Sequence, residues 1–162
     1  MMPHQPGRPD PKVRPGLPHQ PMFHRHFRAD HDKVRSVLTD IRKRFSEDIN
    51  DDTMGRLELV LAEVMNNVAE HGSERALRSE QPSIHLCIVR HDSGLSCAVT
   101  DDGVSLPADC LLPRSLPDHG EILPEGGFGW YLIQDLTQAL CYYREERRNF
   151  LAFSIPFSTE AA

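Results

Sequence analysis

Long apolar runs, positive charge excess and cysteine motifs are all missing from this chain of 162 residues. No apolar run approaches the ~20 residues of a membrane-spanning helix, so we expect no membrane span. Lys and Arg number 18 against 24 Asp and Glu, which gives a net charge of −6 at pH 7. That balance disfavours a nucleic-acid-binding protein, which normally carries a basic face. The four cysteines form no Cys-x-x-Cys pair, and we interpret them as reduced thiols of a cytoplasmic protein.

The first 21 residues differ in composition from the rest. They hold seven of the 13 prolines, almost no apolar residues and no hydrophobic region of a signal peptide. Such a segment buries too little apolar surface to offset the entropy lost on ordering it. We predict a disordered Pro-rich tail over residues 1–21 and one folded domain over residues 22–162.

Beyond the tail, hydrophobic periodicity alternates between strand and helix spacing. The patterns predict, in order, a strand over 22–28, helices over 30–45 and from about 51 to 72, strands over 84–89 and 95–100, a loop over 104–127, a helix over 129–140 and a hairpin over 141–144 and 150–157. A loop this long in a compact domain is usually a lid or disordered. Strands adjacent in sequence favour antiparallel pairing. We therefore predict an α+β, two-layer sandwich, a mostly antiparallel sheet with helices on one face.

Glu63 and Asn67 lie beside the apolar stripe of the second predicted helix. They are four residues apart and therefore share one helical face. Taken alone, this common spacing is explained more simply by a solvated helix face. The functional alternative gives the amide oxygen of Asn67 a role as a Mg²⁺ ligand and Glu63 a role as general base in phosphoryl transfer.

Two further segments carry glycine beside polar or aromatic residues. Asp101 and Gly103 end a predicted strand, either as a simple turn or as a pocket where Asp101 accepts from the amine of adenine. Residues 125–130 place three glycines before a helix, either as a plain loop or as an anion site of backbone N–H groups. No Gly-Lys-Ser/Thr follows, so this segment is not a P-loop.

Together, in this order, the three segments resemble the nucleotide-binding boxes of the GHKL ATPase superfamily. Residues 63–72 resemble the N box, residues 101–105 the first glycine box and residues 126–133 the second. Within the superfamily, the closest resemblance is to anti-sigma-factor serine kinases of bacterial partner-switching systems, whose N box is matched by Glu63, Asn67, His71 and Gly72. Ser105 and Trp130 depart from the glycine-box pattern, in place of a glycine and of the commoner aliphatic residue.

The resemblance implies a serine/threonine-protein kinase that uses ATP and Mg²⁺ and also acts as an anti-sigma regulator. It implies that Asn67 binds Mg²⁺, that Asp101 and Gly103 form the adenine pocket, and that Glu63 activates a Ser or Thr hydroxyl. The phosphates would lie on the segment formed by Gly126, Gly127, Phe128 and Gly129.

The partners implied are a STAS-domain anti-anti-sigma factor as substrate, a sigma factor or equivalent target, and a second copy in a homodimer. The first helix carries the basic residues Lys33, Arg35, Arg42, Lys43 and Arg44, either as a solvated face or as a docking surface. The resemblance implies Arg35 as the candidate partner contact, because the family uses an arginine of this helix at its partner interface.

Other functions stay open. One is an ATP-gated binding module without kinase activity, against which Glu63 argues. Another is a histidine-kinase catalytic domain working in trans, although no phosphoacceptor hairpin is present. A third is a water-activating ATPase of the gyrase or chaperone type, which would carry a transducer domain.

A group of histidines also suggests metal binding. Strand spacing would place His24 and His26 on one face of a strand, with His31 close by. Because nothing nearby in the sequence completes a closed ligand set, we expect no metal site there.

Overall fold

The computed structural model describes residues 22–71, 81–106 and 127–158. Its elements are β1 (Met22–Arg28), α1 (His31–Phe45), α2 (Asp51–His71), β2 (Ser83–His91), β3 (Gly94–Asp101), α3 (Gly127–Leu136), β4 (Gln138–Glu145) and β5 (Arg148–Pro156). This is the predicted order of strands and helices. The tail over 1–21 and residues 107–126 of the predicted loop lie outside the described residues.

The five strands form one sheet in the order β1-β2-β3-β5-β4, and every neighbouring pair is antiparallel. Alternate residues of the strands are buried, as Ile84, Leu86 and Ile88 are in β2. These residues join the apolar faces of the helices in one core, while the intervening residues lie on the other face of the sheet. The predicted α+β sandwich is confirmed. Among the residues that the structure describes, no helix is both long and apolar enough to cross a membrane.

Local capping sets where α1 and α2 begin. Asp30 lies in the extended conformation just before α1, and its side chain accepts a hydrogen bond from the backbone N–H of Lys33 at 2.8 Å. Asn50 does the same for α2, accepting from the N–H of Thr53 at 2.9 Å. Each cap satisfies a backbone donor that the first turn of a helix leaves without a partner.

The third helix differs from the prediction. We predicted a helix over 129–140, but α3 ends at Leu136 and β4 begins at Gln138. Ala139 has a φ of 53°, in the left-handed region, which interrupts any continuing helix. Gln138 pairs with Ser154 of β5, and the register shifts before Cys141. Pairing with β5, which is distant in sequence, therefore overrides the local helical pattern.

Two glycines have opposite surroundings and test how tightly the sheet is packed. A Cβ at Gly94, the first residue of β3, would overlap the carbonyl oxygen of Ile155 and lie 2.9 Å from the Cα of Pro156. A Cβ at Gly55, inside α2, would meet no described atom within 4 Å.

We expect Gly94→Ala to lower the free energy of unfolding by about 1–3 kcal/mol, because the clash is with backbone that cannot rotate away. Gly55→Ala, the matched control, should raise it by about 0.4–1 kcal/mol, because alanine restricts the unfolded chain. Urea denaturation of both variants checks the pair. Equal effects at the two positions would show that β3 and β5 are not packed this closely.

Candidate functional site

Glu63 of α2 and Gly129 of α3 are in direct contact. A Cβ built at Gly129 would overlap the Oε2 atom of Glu63 and lie 3.3 Å from its carboxyl carbon. The two residues come from separate segments singled out in the sequence, and the fold brings them together. Glycine at position 129 thus makes room for a carboxylate beside the first turn of α3.

The core side of α2 determines where this carboxylate points. Leu57, Leu61 and Val64 are buried in the core, with exposed fractions of 4% or less. Glu63 is half-buried beside this stripe, and Asn67 lies one turn further along the same face, also half-buried. The packing of the apolar face therefore holds both polar side chains at the edge of the core.

The neighbouring asparagine has a different role. The Oδ1 atom of Asn66 lies 2.9 Å from the Nδ1 atom of His31, at the start of α1. This hydrogen bond links α2 to α1. Asn66 therefore has a structural contact, whereas Asn67 lies on the same helical face as Glu63.

Asp101 is a buried carboxylate at the end of β3, with only 9% of its surface exposed. Its Oδ1 atom accepts hydrogen bonds from the backbone N–H of Gly103 and from the Nδ2 atom of Asn149, both at 2.9 Å. Burial raises the pKa of Asp101. The hydrogen bonds from Asn149 and Gly103 act in the opposite direction, because they stabilise the charged form.

Asn149 lies at the centre of this cluster and was not found by sequence analysis. It faces Asp101 across the β3–β5 ladder and is 3% exposed. Its Nδ2 atom also donates to the carbonyl of Val104 at 2.8 Å. Its Oδ1 atom accepts from the hydroxyl of Tyr142 at 2.7 Å and from Nη1 of Arg144 at 2.8 Å. The available sequence signal is a polar residue at an inward position of an otherwise apolar strand.

The same cluster holds the backbone that follows β3. Nη1 of Arg144 donates to the carbonyl of Gly103 at 3.0 Å. The backbone N–H of Leu106 donates to the hydroxyl of Tyr142 at 3.2 Å. Residues 103–106 are therefore tied to β4 and β5, although they belong to neither strand.

The remaining sequence-predicted positions are less well defined. Gly127 and Phe128 begin α3, and their backbone lies at its N-terminus. Gly126 lies outside the described residues, and the side chains of His71 and Phe128 do too. Arg35 is exposed on α1.

The donor set around α2 fits Mg²⁺ held together with a nucleotide. Asn67 offers an amide oxygen, which is a suitable ligand for a hard cation. Over residues 22–71, 81–106 and 127–158, no group of three or more His, Cys, Asp or Glu side chains is arranged to hold a metal ion. Mg²⁺ usually takes one or two protein ligands, with water and phosphate oxygens supplying the others, so a single Asn67 ligand is compatible with it.

The raised pKa of Asp101 has a consequence for stability. The folded state binds this proton more tightly than the unfolded state, where the ordinary pKa is 3.8. The contribution of the group to stability is therefore fully present below pH 3.8 and is lost as pH rises through the folded pKa. An amide at this position keeps an oxygen acceptor for Gly103 and Asn149 without a buried charge.

We expect Asp101→Asn to be at least as stable as the parent at pH 7, with any advantage shrinking as pH falls toward 4. Urea denaturation at pH 7, 5 and 4 measures this difference. Asp92→Asn is the control, because Asp92 is exposed, lies between β2 and β3, and is not among the groups that shift the pKa of Asp101. A clear loss of stability in Asp101→Asn at pH 7 would mean that the carboxylate stabilises the fold.

Comparison with known proteins agrees with this architecture. The profile of the histidine kinase-like ATPase domain matches residues 27–155. No curated protein matches the sequence significantly.

Among solved structures, the RsbU and RsbW domains of Rv1364c from Mycobacterium tuberculosis superpose with a TM-score of 0.62 at 15% identity, covering 87% of this chain and 34% of that chain. The blue-light activated histidine kinase EL346 of Erythrobacter litoralis gives a TM-score of 0.52 at 24% identity, covering 80% of this chain and 41% of that chain. This chain therefore spans less than half the length of either structure. At these identities the likeness is one of fold.

The profile match extends from β1 to β5 and includes α2, α3 and the Asp101 cluster. The chain belongs to the histidine kinase-like ATPase domain family, a family of ATP-binding domains.

Proposed function

We propose that this chain is a serine/threonine-protein kinase of a bacterial partner-switching system, dependent on ATP and Mg²⁺. Its substrate is a Ser or Thr hydroxyl of a STAS-domain anti-anti-sigma factor. While no unphosphorylated partner is bound, the same domain holds a sigma factor or an equivalent target. A homodimer is the assembly that the family resemblance favours.

The observation that carries this proposal is the contact between Glu63 and Gly129. Backbone N–H groups at the N-terminus of α3 are suited to hold phosphate oxygens. With the terminal phosphate bound at that turn, the Glu63 carboxylate would serve as proton acceptor for the attacking hydroxyl. A domain that only sequesters a partner has no use for a base at this position.

The Asp101 cluster supports binding of adenine. Both described hydrogen bonds to this carboxylate end on Oδ1, which leaves Oδ2 to accept from the exocyclic amine of the base. Gly103 lets the base approach the backbone closely, and Asn149 holds the carboxylate in place. An acceptor at this point favours a base with an amino group over one with a carbonyl.

The proposed reaction uses these residues. Glu63 takes the proton of the partner's hydroxyl as its oxygen bonds to the γ-phosphorus, and the bond to the bridging oxygen of ADP breaks. Asn67 would hold Mg²⁺, which would supply positive charge to offset that of the transferring group. The protein's own contribution is to position the base and the nucleotide.

Charge on α1 supports Arg35 as the partner contact. Arg42 is already engaged, donating to both carboxylate oxygens of Glu58 at 2.6 and 2.9 Å. Arg44 lies 3.9 Å from a carboxylate oxygen of Asp48. These contacts reduce the basic character of the end of α1. Arg35, in the first half of the helix, remains exposed for an acidic partner surface.

The test is to incubate the full chain with γ-labelled Mg-ATP and a soluble extract of its own host. We expect one small labelled protein whose label is stable to acid. Glu63→Ala should reduce labelling by about 10²-fold or more, the usual contribution of a general base, while ATP still binds. Glu47→Ala, which removes an exposed carboxylate after α1, is the control and should label normally.

Other outcomes contradict the proposal in distinct ways. An acid-labile label would mean phosphorylation of histidine. No label, with ATP bound by the parent and not by Asp101→Asn, would leave an ATP-gated binding module. Full labelling by Glu63→Ala would remove Glu63 from the role of base.

A further inference from the structure

A second group of chemically active side chains lies on the sheet face turned away from the helices. In the β1–β2 ladder, His26 is opposite His85 and His24 is opposite Cys87. Their neighbours in sequence, such as Phe23 and Ile84, are buried on the other face. The ladder therefore places three imidazoles and one thiol side by side, with two of these side chains on each strand.

His85 lies close to both other imidazoles. The Nε2 atoms of His24 and His85 meet directly, and the two ring centroids are 4.4 Å apart. The ring centroid of His26 lies 5.5 Å from that of His85. His85 comes from a strand distant in sequence, which is why the sequence analysis named His24, His26 and His31 but not His85.

The neutral form of imidazole binds a metal ion, through a free nitrogen lone pair. Cys87 lies two residues from His85 on the same strand, where it could add a thiol.

We propose that His24, His26 and His85 form a surface binding site for a divalent transition metal ion of the Zn²⁺ class. Imidazole nitrogen suits zinc, nickel and copper, whereas Mg²⁺ and Ca²⁺ take oxygen ligands. The site is therefore separate in chemistry from Asn67. It lies on the opposite face of the sheet from α2.

Forming the site requires small side-chain rotations. As they stand, the side chains of the described segments place no three such ligands around one point. Nitrogen atoms that share a zinc ion each lie about 2.0–2.1 Å from it, so the touching Nε2 atoms of His24 and His85 must separate to admit the ion. All three histidines are exposed, and their rings can turn without disturbing the core. The thiol of Cys87, opposite His24, is a candidate fourth ligand.

Isothermal titration of the metal-free full chain with Zn²⁺ at pH 7.5 tests the proposal. We expect one ion per chain, with affinity reduced at least tenfold in His24→Gln and in His85→Gln. His91→Gln is the matched control, because His91 lies on the same strand and face but pairs with Gly94, beyond the end of β1. At pH 5.5 binding should weaken, since protons compete for the rings.

Unchanged affinity in His24→Gln and His85→Gln would overturn the proposal and assign the bound ion to other histidines of the chain. Absence of zinc binding by the parent would overturn it as well. ATP affinity, measured on the same samples, shows that each variant is folded. Ring resonances of His24, His26 and His85 that shift together on zinc addition would support a shared ion.

Discussion

The buried carboxylate of Asp101 is the constraint on which the β3–β5–β4 half of the sheet depends. An ionised group removed from water is costly unless hydrogen bonds replace its solvation. Asn149 supplies one of these bonds, and it can do so only in the observed register, where it lies opposite Asp101. A slip of one residue would turn Asn149 to the other face. Tyr142 and Arg144 of β4 donate hydrogen bonds to Asn149. The need to satisfy one buried carboxylate therefore links three strands.

The residues of the candidate site are held in place in two different ways. On the sheet side, polar groups satisfy one another inside the core, and the backbone after β3 is held by side chains of β4 and β5. On the helix side, burial of the apolar stripe of α2 sets the direction of Glu63 and Asn67. The first arrangement resists change because each donor has a defined acceptor. In the second, core packing holds α2 in place together with the contacts of Asn66 and Glu58 to α1.

Local signals in the sequence predicted much of this fold. Apolar spacing predicted α1 and α2, because the buried face of a helix repeats every three to four residues. The pairing of β2 with β3 followed from two predicted strands adjacent in sequence. The resemblance of short motifs to the GHKL boxes then selected Glu63, for which the helical pattern alone was uninformative.

The parts that were missed depend on distant contacts. The predicted end of α3 was wrong, because the pairing of β4 with β5 decides where the helix stops. The hairpin of β4 and β5 was predicted, but its two-residue turn was not, since Glu146 and Arg147 take φ values of 49° and 67° without glycine or asparagine. Asn149 and His85 became meaningful only when their partners on other strands were in place. Strand pairing is not encoded by spacing within a strand, so no local pattern reveals these neighbours.

The contact between Glu63 and Gly129 also couples two positions that are far apart in the sequence. A side chain at position 129 would require the carboxylate end of Glu63 to move away from the first turn of α3. The space at one position therefore sets the orientation of the side chain at the other. A substitution at position 129 would act on the chemistry of Glu63 without altering that residue.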